Sequence, residues 1–294
     1  MDYKGYTVHE NNNGIEIEGL RDFDLVHIFD CGQSFRWIKQ QDGSYIGVVR
    51  DKVSRVRFEN DKLYISNSNY DDFVNIWYDY FDLGTDYGKI KKVLCSKDEV
   101  MEQAIPFGQG IRLLRQDIWE LLISFIISAN NRIPRIMKSV EALSQNSGTK
   151  ISSEEGIFYT FPSPEALASC TLDEIELCKA GFRCKYISQT SEMIRKGVVD
   201  LSTLKSMETK GARNELIKLS GVGPKVADCI LLFSGTKFDV FPTDVWIKRI
   251  MEVLYFKREA TFKEIDQFSK DHFGSLSGYA QQYLFFFARE TRIS

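Results

Sequence analysis

The stretch NELIKLSGVGPKVADCI, residues 214–230, constrains the fold more than any other part of this chain. Two apolar-periodic segments flank Gly221, Val222, Gly223 and Pro224. Glycine reaches backbone angles closed to other residues, and proline is at home in the first helical turn. The four residues therefore end one helix and open the next, giving a helix–hairpin–helix over about residues 208–235. Free N–H groups on such a hairpin, with a helix start behind them, suit an anion such as a DNA phosphate. They would grip the backbone without reading sequence. A lone G-x-G is explained equally well by an ordinary turn, but the string L-x-G-V-G-x-K-x-A is more specific. Lys225 stands at that helix start, which is already electropositive, so a cation there calls for a chemical reason.

A carboxylate follows in VFPTDVWIKRIM, where Asp244 precedes an apolar-periodic helix. Its simplest role is an N-cap that accepts from the first free N–H groups of that helix. A capping carboxylate is also held rigidly, which suits it to stabilise positive charge developing beside it. Cys229 lies four residues after Lys225 and so on the same helical face. A small buried core residue explains Cys229 as well as a chemical role does.

The remaining pattern reads as α+β: a small antiparallel sheet domain at the amino terminus, residues 1–100, then a helical domain, residues 101–294. GIEIEGL, FRWIKQ, YIGVVR, VSRVRFEN and KLYISN alternate or cluster β-branched and aromatic residues, with turns at Asp42-Gly43 and Asn60-Asp61. From about Asp86 the pattern turns helical. IRLLRQDIWELLISFIISANN, residues 111–131, reads as one long buried helix. Ser163 and Thr171 read as caps, with Gly181 as a stop, and further helices are expected near 183–196, 208–219, 224–235, 245–256, 260–271 and 277–291.

Several function classes fall away. No apolar run approaches the roughly 20 residues of a membrane span, and the start of the chain shows no signal-peptide pattern. The expected location is the cytoplasm, with the chromosome in a bacterium or archaeon, or the nucleus in a eukaryote. Six scattered cysteines without a C-x-x-C, and three histidines far from one another, argue against a disulfide framework, a structural metal or an iron–sulfur cluster. The net charge of −3 neither requires nor excludes DNA, because residues 1–100 carry 13 basic against 18 acidic side chains while residues 211–294 carry 12 against 10.

The strings LSGVGPKVADC and FPTDV resemble the helix–hairpin–helix/Gly-Pro-Asp superfamily of DNA glycosylases. Within it, CGQSFRW (31–37), GIRLLRQD (110–117), SFIISANNRIPRI (124–136), GFRCKYI (181–187) and GYAQQYLF (278–285) resemble the 8-oxoguanine DNA glycosylase family. The resemblance runs through nearly the whole chain. It implies a bifunctional glycosylase and AP lyase, working as a monomer on duplex DNA that contains 8-oxoguanine, without metal or organic cofactor. Lys225 is then the nucleophile, and Asp244 steadies the charged sugar in the transition state. Burial and the positive helix start are expected to push Lys225 toward its reactive amine.

By the same resemblance, Gly32 offers a carbonyl to the hydrogen that 8-oxoguanine, unlike guanine, carries on N7. Gln281 reads the Watson–Crick edge, while Phe285 and Cys229 flank the flipped base. Asn130 fills the vacated stack, with Arg135 and Arg183 toward the partner base and Phe182 as a wedge. Gly221, Val222 and Gly223 hold the backbone. Phe182 stands where human-type relatives have a tyrosine, and Trp246 replaces a histidine common two positions after the aspartate. Two other readings stay open: a sister glycosylase for alkylated bases, and a non-catalytic DNA-binding module.

Overall fold

A computed structural model describes residues 1–96 and 98–292. Seven strands form one antiparallel sheet: β1 (Asp2–Tyr3), β2 (Tyr6–Asn11), β3 (Gly14–Glu18), β4 (Trp37–Lys39), β5 (Tyr45–Val49), β6 (Lys52–Glu59) and β7 (Lys62–Ser66). Their order is β1-β2-β3-β7-β6-β5-β4. The two expected turns are present, with Gly43, Asn60 and Asp61 all at positive φ. β1 and β2 escape the sequence pattern because only Val8 of β2 is buried, so the strand carries no alternation to read.

This strand order dictates the path of one segment. β3 and β4 are consecutive in sequence yet lie far apart in the sheet, so residues 19–36 must cross its face. On the way Leu20, Phe23, Leu25, Ile28 and Phe29 enter the core of the sheet domain, while Cys31 and Phe35 enter the helical core. The loop at Cys31–Gln33 is thereby pinned at the junction of the two cores.

Apart from the short helix Leu25–Phe29 in the crossing segment, helical backbone begins at Tyr70, earlier than the expected Asp86. Phe73, Ile76, Trp77, Tyr80 and Phe81 of this segment pack into the sheet core at helical spacing. A second small hairpin, β8 (Lys150–Ser153) with β9 (Gly156–Tyr159), lays Ile151 and Phe158 against Ile46, Val48 and Val53 on the sheet's other face. Arg55 fixes it there through paired bonds to Glu155 at 2.8 and 2.7 Å.

The expected long helix over residues 111–131 is shorter, running from Ile118 to Ser128. Residues 111–117 form an extended strap because their amides find partners outside the segment. Leu113 N–H donates to Tyr87 Oη, Leu114 to Gln33 Oε1, Arg115 to Tyr80 O and Gln116 to Phe233 O. Arg112 is buried beneath the strap and donates to the carbonyls of Arg21, Asp22 and Asp82. Asp117 then caps the helix by accepting from Glu120 N–H at 2.9 Å.

Ser163 and Thr171 cap helices as expected. Gly181 does not stop the second of these, which ends at Glu176; it leads into the next helix, Arg183–Arg195. The helices Thr209–Ile217, Pro224–Phe233, Val245–Met251, Phe262–His272 and Ser277–Thr291 complete the domain. Among the described residues, no helix is long and apolar enough to cross a membrane.

Candidate active site

The hairpin between Ile217 and Pro224 is locked to the helix Arg183–Arg195. Thr190 Oγ1 donates to Ser220 O at 2.8 Å, and Ser220 Oγ to Gln189 Oε1 at 2.5 Å. Gly221 has φ +79°, and a Cβ there would sit 2.8 Å from the side chain of Tyr186. Gly223 differs: a Cβ would meet nothing within 4 Å. One glycine thus serves the turn, and the other leaves open space beside an uncapped helix start. We expect Gly221→Ala to destabilise the fold by about 1–3 kcal/mol through left-handed strain and the Tyr186 clash. Gly223→Ala should affect duplex affinity more than the melting temperature. Thermal melts and a binding titration on both variants separate the two roles.

Behind the hairpin lies a cavity of about 220 Å³. Lys225 and Cys229 enter it from the hairpin's second helix, Asp244 from the next, Gln281 and Phe285 from Ser277–Thr291, and Gly32 from the crossing loop. Lys225 Nζ lies 5.4 Å from the centroid of the Phe125 ring. Asp244 is the N-cap of Val245–Met251: its Oδ1 accepts from Trp246 N–H at 3.0 Å and Ile247 N–H at 2.8 Å. The second carboxylate oxygen has no hydrogen-bond partner among the described residues.

Three glutamines hold the loop that carries Gly32. Gln33 is fully buried and donates to Ile28 O and Arg112 O. Gln282 donates to Cys31 O at 3.0 Å, and Gln116 to Gln33 O at 2.8 Å. The carbonyl of Gly32 between them accepts no hydrogen bond from the described residues, at a glycine with φ +82°. Gln281 Oε1 is buried without a partner among them. An unpaired carbonyl and an unpaired amide oxygen beside an aromatic ring make a slot for a planar group that donates hydrogen bonds. Phe285, the ring in question, is braced edge-to-face by Trp246 at 4.8 Å.

Residues 17–122 match the N-terminal domain of 8-oxoguanine DNA glycosylase, and residues 123–273 match the HhH-GPD superfamily of base excision DNA repair proteins. The chain belongs to the 8-oxoguanine DNA glycosylase family within that superfamily. A solved structure of the Clostridium acetobutylicum 8-oxoguanine glycosylase/lyase, bound to double-stranded DNA with cytosine opposite 8-oxoguanine, is similar. Its sequence is 44% identical with a TM-score of 0.94, covering 98% of this chain and 99% of that one. MBOgg1, solved with a low-affinity DNA ligand, is 50% identical with a TM-score of 0.95 over 98% and 99% of the two chains. The N-glycosylase/DNA lyase of Saccharomyces cerevisiae is 30% identical over 252 residues, 77% of this chain and 66% of its own length.

Against that family pattern, two expectations change, and the charge on Lys225 depends on its neighbour. A Cys229 thiolate would hold Lys225 above its ordinary pKa, with Asp244 adding to this and burial opposing it. Burial pushes the Cys229 thiol itself up to about 11, so at neutral pH that charge is absent and burial outweighs Asp244. Val222 gives the hairpin no free donor, because its N–H already donates to Leu219 O and its side chain is buried.

The second change is Arg183. Asn130, Arg135 and Phe182 are exposed at the rim, but Arg183 is only 5% exposed and its donors are bonded to backbone carbonyls. Gln33, Gln116 and Gln282 carry no signal of their own in the sequence. The only hint is their place inside the strings CGQSFRW, GIRLLRQD and GYAQQYLF.

Proposed function

We infer that this chain is a bifunctional DNA glycosylase/AP lyase that removes 8-oxoguanine from duplex DNA. The observation that carries the reading is the meeting of one amine, Lys225, and one carboxylate, Asp244, in a single cavity behind a backbone-gripping hairpin. Backbone binding alone needs neither group. The base must leave the duplex to reach such a cavity, so the enzyme works by flipping. It acts where the chromosome lies: in the cytoplasm if the cell has no nucleus, in the nucleus if it has one.

The lesion enters between Cys229 and Phe285, with its N7 hydrogen toward the Gly32 carbonyl and its Watson–Crick edge toward Gln281. Guanine has a bare acceptor at N7, so the same carbonyl repels it. As the bond from C1′ to the base nitrogen breaks, its electron pair leaves with the base and positive charge grows on the sugar. Asp244 stabilises that charge, and its caps hold it fixed so that no reorganisation is needed.

The Lys225 amine, once its ammonium has given up a proton, forms the new bond to C1′. Opening of the sugar ring, with loss of the second nitrogen proton, gives the Schiff base. Loss of a proton from C2′ then expels the 3′ phosphate, and water releases the enzyme. The deciding experiment is incubation with an 8-oxoguanine:cytosine duplex and borohydride. A covalent protein–DNA adduct is expected; its absence alongside intact binding would overturn the lyase, and absence of released base as well would leave only a DNA-binding module.

A further inference from the structure

Four consecutive carbonyls run through the crossing loop, from Asp30 to Gln33, and three of them are occupied by side chains. Arg289 Nη1 donates to Asp30 O, Gln282 Nε2 to Cys31 O at 3.0 Å, and Gln116 Nε2 to Gln33 O at 2.8 Å. Among the described residues, nothing donates to the fourth, Gly32 O. Residues 30–36 belong to no helix or strand, so these side chains take the place of a backbone ladder.

The donors come from the elements that build the rest of the cavity. Gln282 and Arg289 are seven residues, or two turns, apart on Ser277–Thr291, the helix that carries Gln281 and Phe285. Gln116 lies on the strap, and its own N–H donates to Phe233 O at the end of the helix that carries Lys225 and Cys229. The buried Gln33 side chain ties the loop to the strap again by accepting from Leu114 N–H at 2.9 Å. The free carbonyl is thereby fixed relative to both the stacking ring and the amine.

A glycine at φ +82° has wide alternatives on either side of zero, so an unclamped loop has several places to put that oxygen. What the oxygen tests on a base is a single hydrogen: N7–H attracts it and a bare N7 repels it. The contact weakens once distance or angle leaves the hydrogen-bonding range.

We propose that Gln282 and Gln116 are positioning residues that set the discrimination between 8-oxoguanine and guanine, by holding the peptides on either side of Gly32 so that its carbonyl stays where N7 arrives. This rests on the glycosylase reading above. Gln282 also lines the cavity, but its amide is committed to the loop, which leaves the neighbouring Gln281 for the base.

The test is a set of binding titrations in the Lys225→Gln background, which keeps base release from disturbing them. Duplexes carry 8-oxoguanine or 7-deaza-8-oxoguanine opposite cytosine; the second puts a weakly polar C–H where the first has N7–H. Gln282→Met keeps the length of the side chain and removes the donor. It should weaken binding of 8-oxoguanine about fivefold to tenfold, as for one lost hydrogen bond, and leave the 7-deaza lesion within about twofold. Gln116→Met should narrow the same preference from the other side of Gly32, and it serves if Gln282→Met does not fold. Equal weakening of both lesions would mean a merely structural role and overturn the proposal, as would an unchanged preference in either folded variant. On the parent protein, the side-chain amide protons of Gln282 and Gln116 should be protected from exchange, both free and bound to the lesion duplex. Exchange as fast as in an exposed glutamine would also overturn the clamp. Equal binding of the two lesions before either glutamine is changed would remove the Gly32 reading itself, and the proposal with it. Failure of the parent to release 8-oxoguanine would instead sink the enzyme reading.

Discussion

Lys225→Gln is expected to bind the lesion duplex within a few fold of the parent while losing base release and the borohydride-trapped adduct, by about 100-fold or more. Binding should survive because the hairpin and the open space at Gly223 are backbone features that the side chain does not build. Stability should hardly change, since glutamine and lysine have similar helix propensities and Lys225 is near the helix start, where its charge is not favoured. Chemistry should fail because an amide cannot form a Schiff base. Trapping at the parent's level would move the nucleophile to another lysine. Deprotonation of Lys225 adds a pH signature for the parent. An ammonium must lose its proton before it can attack, so the reactive amine grows with pH, by up to about tenfold per unit. Adduct formation at a preformed abasic site should therefore rise between pH 7 and 9.

The features legible in sequence are those made by near neighbours. The hairpin string, the caps at Ser163, Thr171 and Asp244, and the turns at Asp42-Gly43 and Asn60-Asp61 each depend on groups within a few residues. The strap at 111–117 reads as helix because what straightens it comes from afar. Leu114 N–H reaches Gln33, 81 residues away, and its apolar spacing gives no sign of that. The same holds for the wall of the cavity. Cys31 O meets Gln282 across 251 residues, so only the fold can show that Gly32, beside it, keeps a free carbonyl.

One influence on the charge of Lys225 escapes the sequence for a related reason. Burial and the helix start are visible in the string, and both disfavour an ammonium. Asp244, which favours it, is brought alongside only by folding. Arg183 is the sharpest case. Its position in GFRCKYI implies a hand held out to the partner base, whereas folding turns it inward onto the carbonyls of Ala129 and Asn130. Sequence shows which residue stands at a position; what its donors meet is settled by residues 53 and 54 positions away.

Asp244→Asn should slow base excision by at least tenfold, about 1.4 kcal/mol of transition-state stabilisation, while costing no more than about 1 kcal/mol of folding stability. Asparagine caps a helix as well as aspartate, so the bonds to Trp246 and Ile247 N–H survive and only the charge is lost. That loss acts in two opposing directions. Asp244 helps hold Lys225 as an ammonium, so its removal frees some amine and favours attack. It also removes the one negative side chain that, among the described residues, lines the cavity where the sugar becomes positive. The second effect should prevail during base excision, because charge on the sugar peaks as the base departs and the carboxylate works there in a water-poor site. At a preformed abasic site no base has to leave, and only the first effect remains. The variant should therefore lose excision yet trap as well as the parent, or better, on abasic DNA. Equal loss on both substrates would show that Asp244 serves a step the two share, after the base has departed. A collapsed melting temperature with an unchanged rate for the folded fraction would reduce it to a cap.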